Sequence, residues 1–234
     1  MTDSSYHSDL LDNNITLEEW IRRWKVGQIA FHRLEPNHNL VKHKNLLLSE
    51  HGSVLIPLCG KTVDMKYLAD KGHKVVGIEI SETAVLDFFK EQSMNYSRNK
   101  HPAMPFDIFA AESSGIVIYM GNLFDANLQM LGQFDAIWDR GAFVAINSSE
   151  HEKYCSLMAT LLKPNGTWLL NCCEYDGTKY GGPPHSIGEN EVKRLLADKF
   201  IVAKLDSYNQ NGARFGLDIV TAVNYMIKPI ASYI

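Results

Sequence analysis

Gly60, in the turn LIPLCGKTVDM, stands nineteen positions before Glu79, at the end of the apolar run KVVGIEI. That interval is close to the ~20 residues separating a ligand-binding strand-to-helix turn from the carboxylate that meets a ribose hydroxyl on the next strand. Gly60 would let a ligand approach the backbone, and the following helix start offers free amides. A glutamate at a strand end can instead cap the next helix, but burying it near the sheet edge without a ligand would be costly. The turn has one glycine, not the GxGxxG of a pyrophosphate cradle. The P-loop pattern GxxxxGK[ST] would need a glycine where Leu55 stands. Dinucleotide and triphosphate cradles are therefore disfavoured, and a nucleoside such as S-adenosylmethionine remains.

The candidate catalytic residues, Arg140 and Asp139, lie in FDAIWDRGAF. Arg140 follows a strand whose carboxyl end should border the same ligand, and Asp139 beside it could hold the guanidinium or a donor ammonium. Trp20 and Trp24, four apart in TLEEWIRRW, share one helix face, which by itself suggests core packing. The four cysteines (Cys59, Cys155, Cys172, Cys173) contain no CxxC pair, and the nine histidines are scattered without HxxxH or HExxH spacing. No metal site is expected. Cys59 beside the turn reads as a packing residue.

These residues require a scaffold of alternating strands and helices. Thr16 and Glu19 form a capping box that predicts a helix start. From residue 54 onward the strands SVLIPL, KVVGIEI, IVIYMG, FDAIWD, TWLLNC, FIVAKLD and LDIVTAVNYMI alternate with helical stretches such as ETAVLDFFKEQ and SEHEKYCSLMATLL. Near-continuous apolar strands between helices predict a mostly parallel sheet covered on both faces. The last two strands are separated only by SYNQNGARFG, too short for a parallel crossover, so the last strand should be antiparallel. The fold class is thus α/β, Rossmann-like and doubly wound. Residues 1–14 read as a disordered tail and 15–234 as one domain.

Composition narrows the partners. The 234 residues are 45% hydrophobic and 21% charged, with a formal net charge of −4. A chain of this balance is an ordinary soluble globule, without the basic footprint of a nucleic-acid binder. No signal peptide or membrane span is evident, so a cytoplasmic monomer acting on a small molecule is expected.

LEEWIRRW, IAFH, PLCGKTVDMKYLADKGHKVVGIEIS, WDRGAFVAI and the GPP of YGGPP occur in the order found in the thiopurine S-methyltransferase family, which the sequence resembles over roughly residues 15 to 230. The resemblance implies S-adenosylmethionine as donor, S-adenosylhomocysteine as product, and an aromatic or heterocyclic thiol as acceptor. It implies a donor pocket of Trp20, Trp24, Leu58, Gly60, Glu79, Asn122, Leu123 and Arg140, with the N-terminal helix as a lid. On the acceptor side it implies Phe31, Arg140, Pro183, Pro184 and Arg214. His185 stands where members of the family often place an aromatic residue such as Phe.

Methyl transfer to a thiolate needs mainly alignment, so the lack of a catalytic triad does not argue against an enzyme. His32 and His185 are candidate bases, more readily read as pocket walls. Alternatives are a methyltransferase for selenium or tellurium species or another small nucleophile, and a non-catalytic nucleoside-binding protein.

Overall fold

The computed structural model describes residues 11–48 and 51–230. Helix α1 (Leu17–Lys25) starts where the Thr16 hydroxyl accepts from the Glu19 amide at 3.2 Å. The reciprocal half of the capping box is replaced, because the Glu19 carboxylate is held by Arg22 at 2.7 Å and Arg23 at 3.1 Å. Charged donors one turn along compete well against a neutral amide. Helix α2 (His38–Leu47), absent from the sequence reading, buries Asn39 and His43 along with Leu40 and Leu47, a polar-diluted stripe that masks its periodicity.

Five strands form the parallel centre in the spatial order β5-β2-β1-β6-β7: β1 (Ser53–Ile56), β2 (Lys74–Glu79), β5 (Ile116–Met120), β6 (Phe134–Arg140) and β7 (Leu162–Glu174). As expected from the short final connection, β9 (Ile219–Pro229) is antiparallel; it lies between β7 and β8 (Phe200–Asn211) and pairs with both. The opposite edge carries an unexpected hairpin, β3 (Ser97–Lys100) and β4 (Asp107–Ala111), with β4 antiparallel to β5. Its outer strand SRNK is wholly exposed, so no buried face marks it in the sequence. Pairing with β4 and the ion pairs of Arg98 and Lys100 with Asp107, at 2.6 and 2.5 Å, hold it in place.

Side chains alternate between the faces of a strand. Val54, Ile56, Ala136 and Trp138 join the cluster that packs under α2, α3 (Asp64–Ala69) and α4 (Glu82–Glu91). Leu55, Ile137, Trp168 and Leu170 face the other way, toward α6 (His151–Leu161) and α7 (Glu189–Leu196). A four-residue helix, α5 (Leu128–Leu131), joins this second side. Each fully buried Val, Leu or Ile contributes roughly 1.5–3 kcal/mol, so both layers hold the sheet firmly. Since β1 pairs with β2 on one side and β6 on the other, the connection reverses at β1 and opens a crevice beyond the carboxyl ends of these strands.

Residues 1–10 of the expected tail lie outside the described residues, as do 231–234. Residues 11–13 are not loose: the Leu11 amide donates to the Gly177 carbonyl at 2.9 Å and the Asn13 amide to Gly181 at 3.0 Å. The Asn13 side chain adds a bond to the Gly182 carbonyl at 3.2 Å. Among the described residues no helix is long and apolar enough to cross a membrane.

Candidate active site

The crevice contains a cavity of about 1010 Å³, at the upper end of the ~300–1,000 Å³ common for ligand sites and large enough for two small molecules. At one end of it, Glu79 terminates β2 with 4% of its surface exposed. One carboxylate oxygen accepts from the Gly60 amide at 2.8 Å and the other from the Ser81 amide at 2.8 Å. Burial raises its pKa, opposed by these amides and that of Ile80. A carboxylate has about four acceptor positions, so each oxygen retains capacity for another donor. Glu79 thus combines two roles that compete in the sequence: it fastens the turn and still offers acceptors to the cavity.

The turn is shaped for close approach. Leu58 adopts φ +44° and Gly60 φ +52°, and left-handed backbone at a non-glycine residue such as Leu58 costs on the order of 1–2 kcal/mol and concentrates at functional sites. A Cβ at Gly60 would lie 2.7 Å from Cζ2 of Trp24. Gly60→Ala is therefore expected to displace the Trp24 indole, shift tryptophan emission to longer wavelength and lower Tm by several degrees, as ~1–2 kcal/mol would in a domain of this size. Unchanged emission and Tm would disprove this packing.

Trp20, Trp24 and Phe31 form an aromatic group at the cavity wall, with Phe31 edge-on to Trp20 at 6.1 Å and to Trp24 at 5.6 Å. The tryptophan stripe of α1 therefore faces the crevice. Asn122 and Leu123 also line the cavity, and Asn122 caps a short helical turn by accepting from the Phe124 amide at 3.2 Å.

At the opposite end Arg140 leaves β6 and donates to the Phe31 carbonyl at 3.0 Å, while Arg214 donates to the Ala30 carbonyl at 3.3 Å. Both guanidiniums thus hold the 29–33 loop. Desolvation lowers the Arg140 pKa; Asp64 opposes this, and Arg33 and Arg214 add to it. Asp64 is itself occupied, accepting from the Asn37 amide at 2.7 Å and the Trp138 indole at 2.8 Å. Pro183 and Pro184 form a wall braced by Tyr180, whose hydroxyl donates to the Pro183 carbonyl at 2.6 Å, and Tyr180 packs on Phe215 at 4.9 Å. Tyr180 and Phe215 were not singled out in the sequence reading, although each lies within a named segment, YGGPP or GARF.

Asp139 does not hold Arg140. One position earlier on β6, it points to the opposite face, where it accepts from the Tyr154 hydroxyl at 2.6 Å and the Phe143 amide at 3.1 Å. Its side chain is fully buried, and desolvation raises its pKa to about 6 despite those donors. It does not line the cavity, so its expected place beside the guanidinium or a donor ammonium is corrected to a buried brace between β6 and α6.

His185 is also off the cavity, buried 3.5 Å from Asp12. His32 does line it, with Nε2 3.9 Å from Glu91; burial, then nearby Lys61, lowers its pKa. Cys59 and Cys172 also border the cavity, but burial holds both thiols well above their ordinary pKa, and Cys173 is pushed up to about 12. These protein thiols stay protonated and are weak competitors for an alkyl group. Among the described residues no group of three or more His, Cys, Asp or Glu could hold a metal ion.

The family model described as Thiopurine S-methyltransferase (TPMT) matches residues 15–226. Thiopurine S-methyltransferase of Bos taurus is 38% identical over 221 residues, covering 92% of this chain and 90% of the relative. The Equus caballus protein of the same name is 38% identical over 218 residues, covering 91% and 89%. Among solved structures, the 1,6-didemethyltoxoflavin-N1-methyltransferase of Burkholderia thailandensis with bound S-adenosylhomocysteine superposes with a TM-score of 0.62 at 15% identity, covering 94% of each chain. A SAM-dependent methyltransferase from Anabaena variabilis gives 0.65 at 15% identity, covering 95% and 99%. At such identity these structures establish the fold alone.

Proposed function

Because this chain belongs to the thiopurine S-methyltransferase family, we propose that it methylates a small aromatic or heterocyclic thiol in the cavity described above, with the roles of its residues as follows. S-Adenosylmethionine supplies an electrophilic methyl group on a sulfonium centre. The observation that carries the reading is the polarity of one continuous cavity, with a buried carboxylate with spare acceptor capacity at one end and two guanidiniums with an aromatic and proline wall at the other.

Glu79 fits the donor, since its two oxygens each retain room for one ribose hydroxyl after binding backbone amides. Leu58 and Gly60 bring the turn close to that nucleoside, and Asn122 and Leu123 border its base. Trp20 and Trp24 exclude water and present π faces that attract a cation. Arg140 and Arg214 attract the acceptor as its thiolate, and Phe31, Pro183 and Pro184 hold a flat ring. A heteroaromatic thiol ionises readily, so no protein base has to take its proton. What these residues contribute is alignment in a dry site, which can account for several kcal/mol of the barrier.

The test is methyl transfer from isotope-labelled S-adenosylmethionine to a panel of aryl thiols, selenols, inorganic selenium and tellurium species, amines and phenols. Heteroaromatic thiols are expected to give the highest kcat/KM. Faster turnover of phenols, amines or inorganic species would overturn the thiol assignment.

A further inference from the structure

A second cavity of about 540 Å³ adjoins the acceptor end of the first. His32, Arg33, Arg140, Asn171 and Gln210 line both, so the two spaces adjoin along the loop that Arg140 and Arg214 hold. The outer wall is His38, at the start of α2, packed edge-on against Tyr208 of β8 at 5.1 Å, with Asn39 donating to the Tyr208 hydroxyl at 3.0 Å.

The charges of this annexe are unbalanced. Arg33 and Arg140 line it, and Glu35 is its one acidic residue. Among the described residues nothing takes up the Arg33 guanidinium in a hydrogen bond or an ion pair. Asp64, the nearby carboxylate, already accepts from Asn37 and Trp138. Arg33 also adds to the positive potential felt by both Arg140 and Arg214. An arginine without a hydrogen-bond or ion-pair partner among the described residues, lining a polar cavity that borders the first, suits a planar or tetrahedral oxyanion held by two parallel hydrogen bonds.

We propose that this cavity is an oxyanion subsite of the acceptor: the thiol sulfur sits beside Arg140 in the main cavity while a carboxylate or phosphate at the far end of the same molecule lies against Arg33. Arg33 is then a specificity-determining residue that selects acid-bearing thiols. The inference rests on the acceptor placement proposed above.

The experiment compares thiophenol, 4-mercaptobenzoate and 4-mercaptophenyl phosphate with the wild-type enzyme and Arg33→Gln. Arg33 is exposed and makes no hydrogen bond or ion pair among the described residues, so the variant should fold. Expressing kcat/KM for each acid relative to thiophenol, and comparing the two proteins, cancels each ring's effect on its own thiol pKa. The substitution should lower that ratio about fivefold to tenfold, through KM rather than kcat, as loss of one charged pair does. A larger drop for the phosphate identifies a dianion as the preferred group, and a larger drop for the benzoate a carboxylate. Ratios unchanged within about twofold for both acids, against that expectation, would overturn the subsite.

A calorimetric arm reads the same site without turnover, using 4-(methylthio)benzoate and thioanisole with the enzyme saturated with S-adenosylhomocysteine. Arg33→Gln should weaken the acid selectively. If no thiol is methylated yet this selectivity is present, the subsite stands and the thiol acceptor falls. If thiols are methylated but the selectivity is absent in both arms, the subsite falls alone.

Discussion

Glu79→Ala is expected to weaken binding of S-adenosylmethionine and S-adenosylhomocysteine by about 30-fold or more, corresponding to roughly 2 kcal/mol for hydrogen bonds to a charged group. The expected loss has two parts. The carboxylate offers spare acceptors where the ribose hydroxyls would lie, and the same two oxygens fasten the Gly60 and Ser81 amides. Truncation leaves those amides without their partner, so the turn should loosen as the ribose contact disappears. Glu79→Gln separates the two parts, because its one carbonyl oxygen preserves a single acceptor and its amide cannot replace the other. It should bind the donor with an intermediate affinity and a Tm nearer wild type. Calorimetric titration with S-adenosylhomocysteine, with Tm as the check on folding, measures both variants. A folded Glu79→Ala protein with wild-type affinity would place the nucleoside elsewhere in the cavity.

Arg140→Met should lower kcat/KM for an aryl thiol about 10- to 100-fold while changing donor affinity much less, the range given by loss of a charged hydrogen bond of ~1.5–3 kcal/mol. Methionine retains some bulk but loses the charge that attracts a thiolate. It also loses the donor to the Phe31 carbonyl, so the loop bearing the aromatic wall should become less fixed. Arg140→Lys keeps the charge without the planar fork and should recover part of the rate. Arginine stays protonated throughout the working range, even with desolvation lowering its pKa. With an aryl thiol that is already ionised, the wild-type rate should therefore be flat with pH. A bell-shaped profile with such a thiol would implicate a titrating protein group, and His32, which lines the cavity, would be the first to replace. Wild-type kcat/KM in Arg140→Met would remove the acceptor from this end of the crevice.

The sequence by itself determined the features with a local signal. The alternation of apolar strands with helices specified the parallel centre, and the short stretch before the last strand specified its antiparallel return. The interval from Gly60 to Glu79 joined one turn to one carboxylate because a βαβ unit has a nearly constant length. Family resemblance extended this to Phe31, Pro183, Pro184 and Arg214, all of which border the cavity. What the sequence did not carry were relations across the chain. Asp139 and Arg140 are neighbours in sequence but lie on opposite faces of β6, because strand side chains alternate and a one-residue step crosses the sheet. The hairpin edge strand SRNK has no buried side to give it a period, and α2 buries Asn39 and His43 where apolar residues would have marked a stripe. The direction of the tryptophan stripe was equally open, since helical spacing says which residues share a face but not what that face meets. The family resemblance assigned it to the donor pocket, and the packing of Trp24 on Gly60 turns it toward the crevice. Likewise Arg33, His38 and Tyr208 are scattered over α2, its preceding loop and β8, and it took the folded sheet to set them around one cavity beside Arg140. Periodicity and spacing are properties of neighbouring residues, whereas the acceptor end of the site is made by segments that meet only when the two faces of the sheet are covered.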